Sequence, residues 1–176
     1  MDSTKSYLKI YNISPELAED FEFDYDTAGI EEGGSDILTE LVPNLDQWGD
    51  IGWMEVEEYE YNSHNNTMHF TLETKWAPPV RWLQQASYNC SYFENKLVSM
   101  ATIQKDETCV TGVVVMDGEV LQNKYIFQME LDEVEKYYSE DDEYELDELD
   151  NQIWDSIGKF RNICEQFYLE RDNEND

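Results

Sequence analysis

Basic residues are scarce in this sequence. Its 176 residues include 11 Lys and Arg against 41 Asp and Glu, which gives a formal net charge of −30. Such a charge repels nucleic acid and anionic membranes, and it attracts basic protein surfaces quickly and in a salt-dependent way. We therefore expect a basic protein as the partner, with no direct binding to nucleic acid or to membranes.

Cysteines and long apolar runs are also sparse. Cys90, Cys109 and Cys164 are odd in number and widely spaced, so we expect reduced, mostly buried thiols in a cytoplasmic protein. No secretion signal is recognisable at the N-terminus, and no apolar run is long enough to cross a membrane. Aromatic residues, at 14%, are too frequent for a disordered acidic tail. The composition therefore favours one folded domain.

The acids are concentrated towards the two ends of the chain. Residues 1–60 contain 17 acids and 2 bases, residues 61–129 contain 6 and 5, and residues 130–176 contain 18 and 4. Adaptation to high salt would spread acids over the whole surface, so this distribution argues against it. We expect a single domain over residues 1–176, with an acidic N-terminal part, a near-neutral sheet core and an acidic helical C-terminal part.

The hydrophobic pattern predicts an α+β fold. Ser14 and Pro15 are typical of a helix start, and Gly29, Gly33 and Gly34 indicate that this helix is short. A helical turn over residues 36–41 and a helix over residues 80–88 are also expected. Alternating apolar residues predict six antiparallel strands. These strands are expected over residues 7–13, 52–61, 67–76, 96–104, 108–116 and 120–129, with turns at 63–66, 105–107 and Asp117-Gly118.

The C-terminal third changes to a helical period. Apolar residues recur at spacings of three and four, which is typical of one buried helix stripe. The stripe comprises Leu146, Leu149, Ile153, Ile157, Phe160, Cys164 and Phe167, widened by Trp154 and Tyr168. We expect a helix that begins within residues 139–144, ends after Leu169 and packs on the chain's own sheet. A homodimer is the alternative use of the stripe.

One short motif resembles a known family. A predicted strand ends in Trp-Ala-Pro-Pro at residues 76–79, and an amphipathic helix with Trp82 follows. This element resembles the domain of the Api-like family of phage- and plasmid-encoded proteins, over about residues 48–130. The resemblance implies a ferredoxin-like antiparallel sheet with helices and an origin on a mobile genetic element. It implies no catalytic residues. In charge and size the chain is also similar to DNA-mimic antirestriction proteins.

The C-terminal acidic run is the first candidate binding surface. Residues 130–150 contain 12 acids and one base, Lys136, and as a helix they would carry one charge per roughly 2.6 Å, against 1.7 Å for duplex DNA. Aromatic and leucine residues between the acids allow the run to fold and dock. The predicted partner-binding residues of this run are Glu130, Asp132, Glu133, Glu135, Glu140, Asp141, Asp142, Glu143, Glu145, Asp147, Glu148 and Asp150. A merely solvated acidic segment is the alternative.

The N-terminal third supplies the second candidate surface. Alternation places Glu55 and Glu57 on one face of a strand, and Glu58 and Glu60 on the other unless a bulge resets the register. An exposed sheet face without a partner is the alternative. The predicted partner-binding residues of this part are Glu16, Glu19, Asp20, Glu22, Asp24, Asp26, Glu55 and Glu57.

Catalysis is poorly supported by the sequence. His64, in a predicted turn, and His69, in a predicted strand, are the two histidines, and they form no paired metal-ligand spacing with the cysteines. No nucleophile elbow or phosphate-binding glycine loop is present. We expect no enzyme activity, no cofactor and no metal site, although an acidic enzyme is a third alternative.

These observations favour an inhibitor that imitates DNA. Its target would be a DNA-binding protein of the host cytoplasm: a restriction, repair or nucleoid protein, or a defence nuclease. The alternative is an acidic adaptor or chaperone-like protein that shields a basic partner without competing with DNA.

Overall fold

A computed structural model describes residues 4–32, 54–74, 77–104, 109–128 and 143–174. Six strands and three helices lie in these ranges. In chain order they are β1 (Thr4–Ile10), α1 (Pro15–Glu32), β2 (Met54–Asn62), β3 (Thr67–Thr74), α2 (Val80–Asn89), β4 (Val98–Gln104), β5 (Cys109–Met116), β6 (Glu119–Gln128) and α3 (Glu143–Glu174).

All six strands form one antiparallel sheet in the order β2-β3-β1-β4-β5-β6. The predicted α+β class is therefore confirmed. The order is not that of a simple ferredoxin-like sheet, because β5 and β6 extend it beyond β4.

The first face of the sheet is covered by α1 and α2. Phe21 of α1 is fully buried, and its ring lies 5.2 Å from that of Phe70 and 5.1 Å from that of Tyr92. Trp82 of α2 is also fully buried. The predictions for residues 36–41 and 105–107 lie outside the described residues.

The second face is covered in part by α3, which packs on β4, β5 and β6. Its buried stripe of Leu149, Ile153, Ile157, Phe160 and Cys164 contacts the apolar side chains of that face. The predicted packing on the chain's own sheet is therefore confirmed for these five residues.

Phe167 does not continue the buried stripe, because its side chain is 51% exposed. It lies 18 residues after Leu149, which is five full turns, so it points to the same side of the helix. Cys164, three residues earlier, is still buried, so the buried part of the stripe ends at Cys164.

Helix α1 begins as predicted but is not short. The Ser14 hydroxyl accepts a hydrogen bond from the Leu17 backbone N–H at 3.2 Å, and the helix continues for 18 residues to Glu32. The prediction of a short helix was wrong because Gly29 costs only about 1 kcal/mol inside a helix. Burial of Ala18 and Phe21 against the sheet offsets that cost.

Strand β1 lies earlier in the chain than predicted. It covers Thr4–Ile10 instead of residues 7–13. Asn12 ends the extended chain because its φ is 60°, a left-handed conformation that Asn tolerates. The start was missed because Ser6 is polar yet fully buried, with its hydroxyl 2.9 Å from that of Thr102.

The β5–β6 hairpin is confirmed. Asp117 and Gly118 have φ values of 50° and 80°, as the Asp-Gly turn requires. The Gly118 N–H donates to the Ser87 hydroxyl at 2.7 Å, which fixes this turn against α2.

Candidate functional site

Helix α1 is the most acidic of the described elements. Its 18 residues include eight acids and no base. At 1.5 Å per residue the helix is about 27 Å long, with one carboxylate per roughly 3.4 Å. One strand of duplex DNA carries one phosphate per 3.4 Å. The acids are Glu16, Glu19, Asp20, Glu22, Asp24, Asp26, Glu31 and Glu32.

Five of these acids, Glu16 to Asp24, have described side chains and all five are exposed. Acids three or four residues apart repel each other, as Glu16 and Asp20 do. The buried side of α1 holds the helix in place, and the Tyr92 hydroxyl donates a hydrogen bond to the Asp24 carboxylate. Burial raises the pKa of Tyr92, and Asp24 raises it further, so this phenol remains a donor at neutral pH.

Phe23 lies among these acids with 71% of its side chain exposed. It follows Phe21 by two residues, about 200° around the helix, and therefore points away from the sheet. Aromatic side chains, Phe included, are enriched at protein interfaces.

A β-bulge arranges the second acidic surface. Val56 pairs with Leu72 and Glu58 with Thr71, so Glu57 is the extra residue of β2. Val56 and Tyr59 pack towards the first-face core, and the Glu57 carboxylate reaches Lys5 at 2.9 Å. The bulge therefore resets the register, and Glu58 and Glu60 share the face of Glu57.

We call the part of the second face over β1, β3 and β2 the open half-face. Its rows across the sheet are set by strand register: Tyr7, Thr71 and Glu58 lie in one row, and Lys9, His69 and Glu60 in the next. Glu58 and Glu60 are exposed, and Thr71 and His69 are half-buried. Glu55 is opposite Glu73 in the backbone register, but its side chain is outside the described residues.

Helix α3 forms one wall of the open half-face. The Trp154 ring lies edge-on to the Tyr7 ring at 4.8 Å between centroids, and 44% of Trp154 is exposed. Burial raises the pKa of Tyr7, Lys5 lowers it, and the carboxylates of Glu57, Glu58 and Asp150 raise it. Carboxylates of β2 and the Asp150 carboxylate of α3 therefore both lie near the Tyr7 hydroxyl.

Bases offset much of the charge of the open half-face. Lys5 pairs with Glu57, and the buried Lys9 pairs with Glu165. Arg161 and Lys9 both lie close enough to His69 to lower the pKa of its imidazole. Helix α1 contains no base, so the charge of α1 is the less compensated of the two surfaces.

His69 adds no positive charge to the open half-face at neutral pH. Burial lowers its pKa, and Lys9 and Arg161 lower it further, to about 4. Its Nε2 lies 3.1 Å from the Thr67 hydroxyl. The imidazole is therefore neutral, and Glu60 in the same row is not neutralised by it.

The structure does not bring all the predicted binding residues together. The α1 acids lie over the first face, whereas Glu57 and Asp150 lie on the second, so no single contact includes both. Glu148 is exposed on α3. Glu143, Glu145 and Asp147 belong to α3, and Asp26 to α1, but their side chains are outside the described residues. The predicted residues outside the described ranges altogether are Glu130, Asp132, Glu133, Glu135, Glu140, Asp141 and Asp142.

The thiols are buried, as predicted, and none forms a disulfide. Burial raises the pKa of Cys90, and it raises that of Cys164 to about 11, so both are protonated and weak nucleophiles at neutral pH. In the part of the chain that the structure describes, no three His, Cys, Asp or Glu side chains form a group suited to a metal ion. None of the described helices combines the length and apolarity needed to cross a membrane.

Sequence reasoning missed one exposed aromatic of these surfaces, Phe23. Trp154 was predicted to widen the stripe, but it follows Ile153 by one residue and is therefore turned about 100° from the stripe. That offset was the available signal for its exposure. Comparison with family models, with curated proteins and with solved structures found no match to this chain.

Proposed function

We propose that this chain is an acidic inhibitor, encoded by a phage or mobile element, that occupies the DNA-binding site of a basic host protein in the cytoplasm. The observation that supports this most directly is α1, with eight acids, no base and one carboxylate per roughly 3.4 Å. The target class is a restriction, repair or nucleoid protein, or a defence nuclease.

The mechanism is electrostatic. The helix orders its carboxylates before binding, so the partner's Lys and Arg meet a fixed row of negative groups in place of phosphates. Repulsion within α1 costs stability, and pairing with basic residues of the partner relieves that repulsion. Binding should therefore weaken as salt is added.

The exposed Phe23 supplies a contact that charge alone does not. It lies among acids on the outer side of α1, where it can insert into an apolar depression of the partner. A surface of acids with an aromatic anchor fits a folded basic protein better than it fits a flexible polycation.

The order of elements is compatible with the proposed family. One helix follows β1 and another follows β3, and the first four strands lie in the order β2-β3-β1-β4. This is the β-α-β-β-α-β arrangement. We include in the proposal that these elements form a ferredoxin-like unit, which β5, β6 and α3 extend, and that the Api-like resemblance over about residues 48–130 reflects a common origin.

Competition with DNA tests the proposed function. The immobilised full chain captures proteins from a bacterial lysate, and duplex DNA is then added at constant ionic strength. We expect a DNA-binding protein to be released by DNA, and the purified chain to inhibit the DNA binding of that protein. A captured partner that ignores DNA would support the adaptor alternative instead.

The two faces of the sheet supply matched variants. Glu19→Lys/Asp20→Lys/Glu22→Lys changes three exposed acids of α1, and Glu58→Lys/Glu60→Lys/Asp150→Lys changes three exposed acids of the open half-face by the same charge. We expect the α1 triple variant to lose at least about tenfold in affinity, which is 1.4 kcal/mol, and the other to lose much less. Equal losses would mean that net charge alone governs binding, and the reverse order would place the binding surface at the open half-face.

A further inference from the structure

A cavity of about 310 Å³ lies between β6 and α3. Its walls include Ile126 of the strand and Phe160 and Ile163 of the helix, and Lys124, Ser156 and Lys159 supply polar groups. It lies on the side of α3 opposite to Trp154 and the open half-face.

The packing of α3 on β5 forms the floor of this cavity. Gly112 of β5 has no side chain, and a Cβ there would lie 2.7 Å from the Phe160 ring and 3.0 Å from Ile126. The ring therefore lies directly on the strand backbone. Lys124 is the neighbour of Gly112 across the β5–β6 pair, which places this lysine beside the ring.

The cavity is lined by two of the few basic residues of this chain, Lys124 and Lys159. Lys5 and Lys9 have carboxylate partners. Within the described ranges no carboxylate forms an ion pair with Lys124 or Lys159, although Asp155 lies one turn before Lys159. At physiological ionic strength charges act over only about 8 Å. Among the described residues that line the cavity, the two lysines are the charged ones.

The cavity walls are partly polar and partly apolar. Its volume of about 310 Å³ is at the lower end of the range for small-molecule sites, about 300–1,000 Å³. Tyr125 and Ile163 at the cavity are 61% and 39% exposed, so apolar surface is available to a ligand. The Ser156 hydroxyl donates to the Gln152 carbonyl at 2.9 Å, which leaves the lysines as the donors to an anionic group.

We propose that the cavity between β6 and α3 binds a small organic anion with one carboxylate or phosphate group on a hydrophobic body. The ammonium groups of Lys124 and Lys159 bind the anionic group, and Ile126, Phe160 and Ile163 contact the body. This site is separate from the acidic surface of α1 and does not depend on the proposed inhibition.

Octanoate is a suitable probe. Titration of the full chain, followed by NMR of backbone amides at constant ionic strength, should shift signals within residues 124–126 and 156–163. Lys124→Gln and Lys159→Gln should each weaken binding about tenfold, because each removes one charge-assisted contact. Lys96→Gln, which removes the same charge outside the cavity, should bind octanoate as the natural chain does.

Two comparisons separate this site from unspecific adsorption. Octan-1-ol, which has the same body without the charge, should bind at least about tenfold more weakly than octanoate. Octyl phosphate in place of octanoate tells which anionic group binds more tightly, and either order agrees with the proposal. Equal binding of octanoate by the natural chain and by Lys124→Gln/Lys159→Gln, or shifts spread over the whole surface, would overturn it.

Discussion

Gly112 determines how closely α3 approaches the sheet. The register places it between Ala101 of β4 and Lys124 of β6, under the buried Phe160 ring. No pattern in the sequence indicates this role, because a glycine inside a strand commonly weakens the strand or marks a bulge. The role depends on a side chain 48 positions later, which only the folded chain brings near.

Substitution of Gly112 should therefore be costly. In Gly112→Ala the new Cβ would lie 2.7 Å from Phe160 Cε2, a distance at which the buried ring or the strand has to shift. We expect a loss of about 1–3 kcal/mol in the free energy of unfolding, as is usual for overpacking. Urea unfolding followed by circular dichroism measures it.

Gly158 supplies the matched control. It lies in the interior of α3, and a Cβ there would have no atom within 4 Å. Gly158→Ala should therefore stabilise the chain by about 0.5–1 kcal/mol, because alanine favours the helix. An unchanged or raised stability of Gly112→Ala would show that α3 can shift to admit the methyl group.

At the scale of elements, the bulge at Glu57 decides on which face of the sheet the later side chains of β2 lie. If β2 alternated regularly through Glu57 instead of bulging there, Tyr59 would lie on the second face and Glu58 on the first. With the bulge, Tyr59 packs on Phe21 with 5.0 Å between ring centroids, and Glu58 and Glu60 face solvent. The sequence left both registers open because the choice depends on pairing with β3.

Deletion of Glu57 should be tolerated. Glu58 would then follow Val56 directly, and every later residue of β2 would keep its partner in β3. The loss is the Lys5 ion pair, which is worth about 0–1 kcal/mol at an exposed site. We expect a free energy of unfolding within about 1 kcal/mol of the natural chain, measured by urea unfolding.

Deletion of Thr71 is the control, because β3 has no bulge to absorb it. Either Phe70 or Leu72 would turn from the core to the second face, and the loss of one such core contact costs about 2–5 kcal/mol. We expect no cooperative unfolding transition. A Glu57 deletion as damaging as the Thr71 deletion would mean that the bulge itself stabilises the sheet.

Local patterns predicted most of the elements. Alternation and the Asp117-Gly118 turn are properties of neighbouring residues. Five of the six α3 stripe residues with described side chains are buried as expected, and the side chain of Leu146 is outside the described residues. The length of α1 was not predictable in this way, because the packing of Ala18 and Phe21 outweighs the local cost of Gly29. The separation of the acids onto two faces was not predictable either, since it follows from strand order, which long-range pairing decides.

At the scale of the whole molecule, the net charge of −30 should make stability depend on salt. The compact chain holds its acids closer together than the unfolded chain does, so self-repulsion opposes folding. The screening length falls from about 30 Å at 0.01 M salt to about 3 Å at 1 M. Added salt should therefore stabilise the fold.

The like-charge pairs of α1 allow an estimate of how much salt should raise the free energy of unfolding. Glu16, Glu19, Asp20, Glu22, Asp24 and Asp26 form five like-charge pairs at spacings of three or four, each costing about 0.2–0.5 kcal/mol. We expect the free energy of unfolding to rise by at least about 1–2 kcal/mol between low and high NaCl. Urea is the suitable denaturant because it is uncharged, and NaCl is preferable to sulfate, which strengthens apolar burial by itself.

A variant of α1 with fewer charges distinguishes the screening of repulsion within this helix from other effects of salt on stability. Glu19→Gln/Asp20→Asn/Glu22→Gln removes at least one member of each of the five pairs and leaves the buried side of α1 unchanged. This variant should be more stable than the natural chain at low salt and should gain less stability from NaCl. If both chains respond to NaCl equally, the repulsion within α1 is not what salt screens, and the acids outside this helix account for the response.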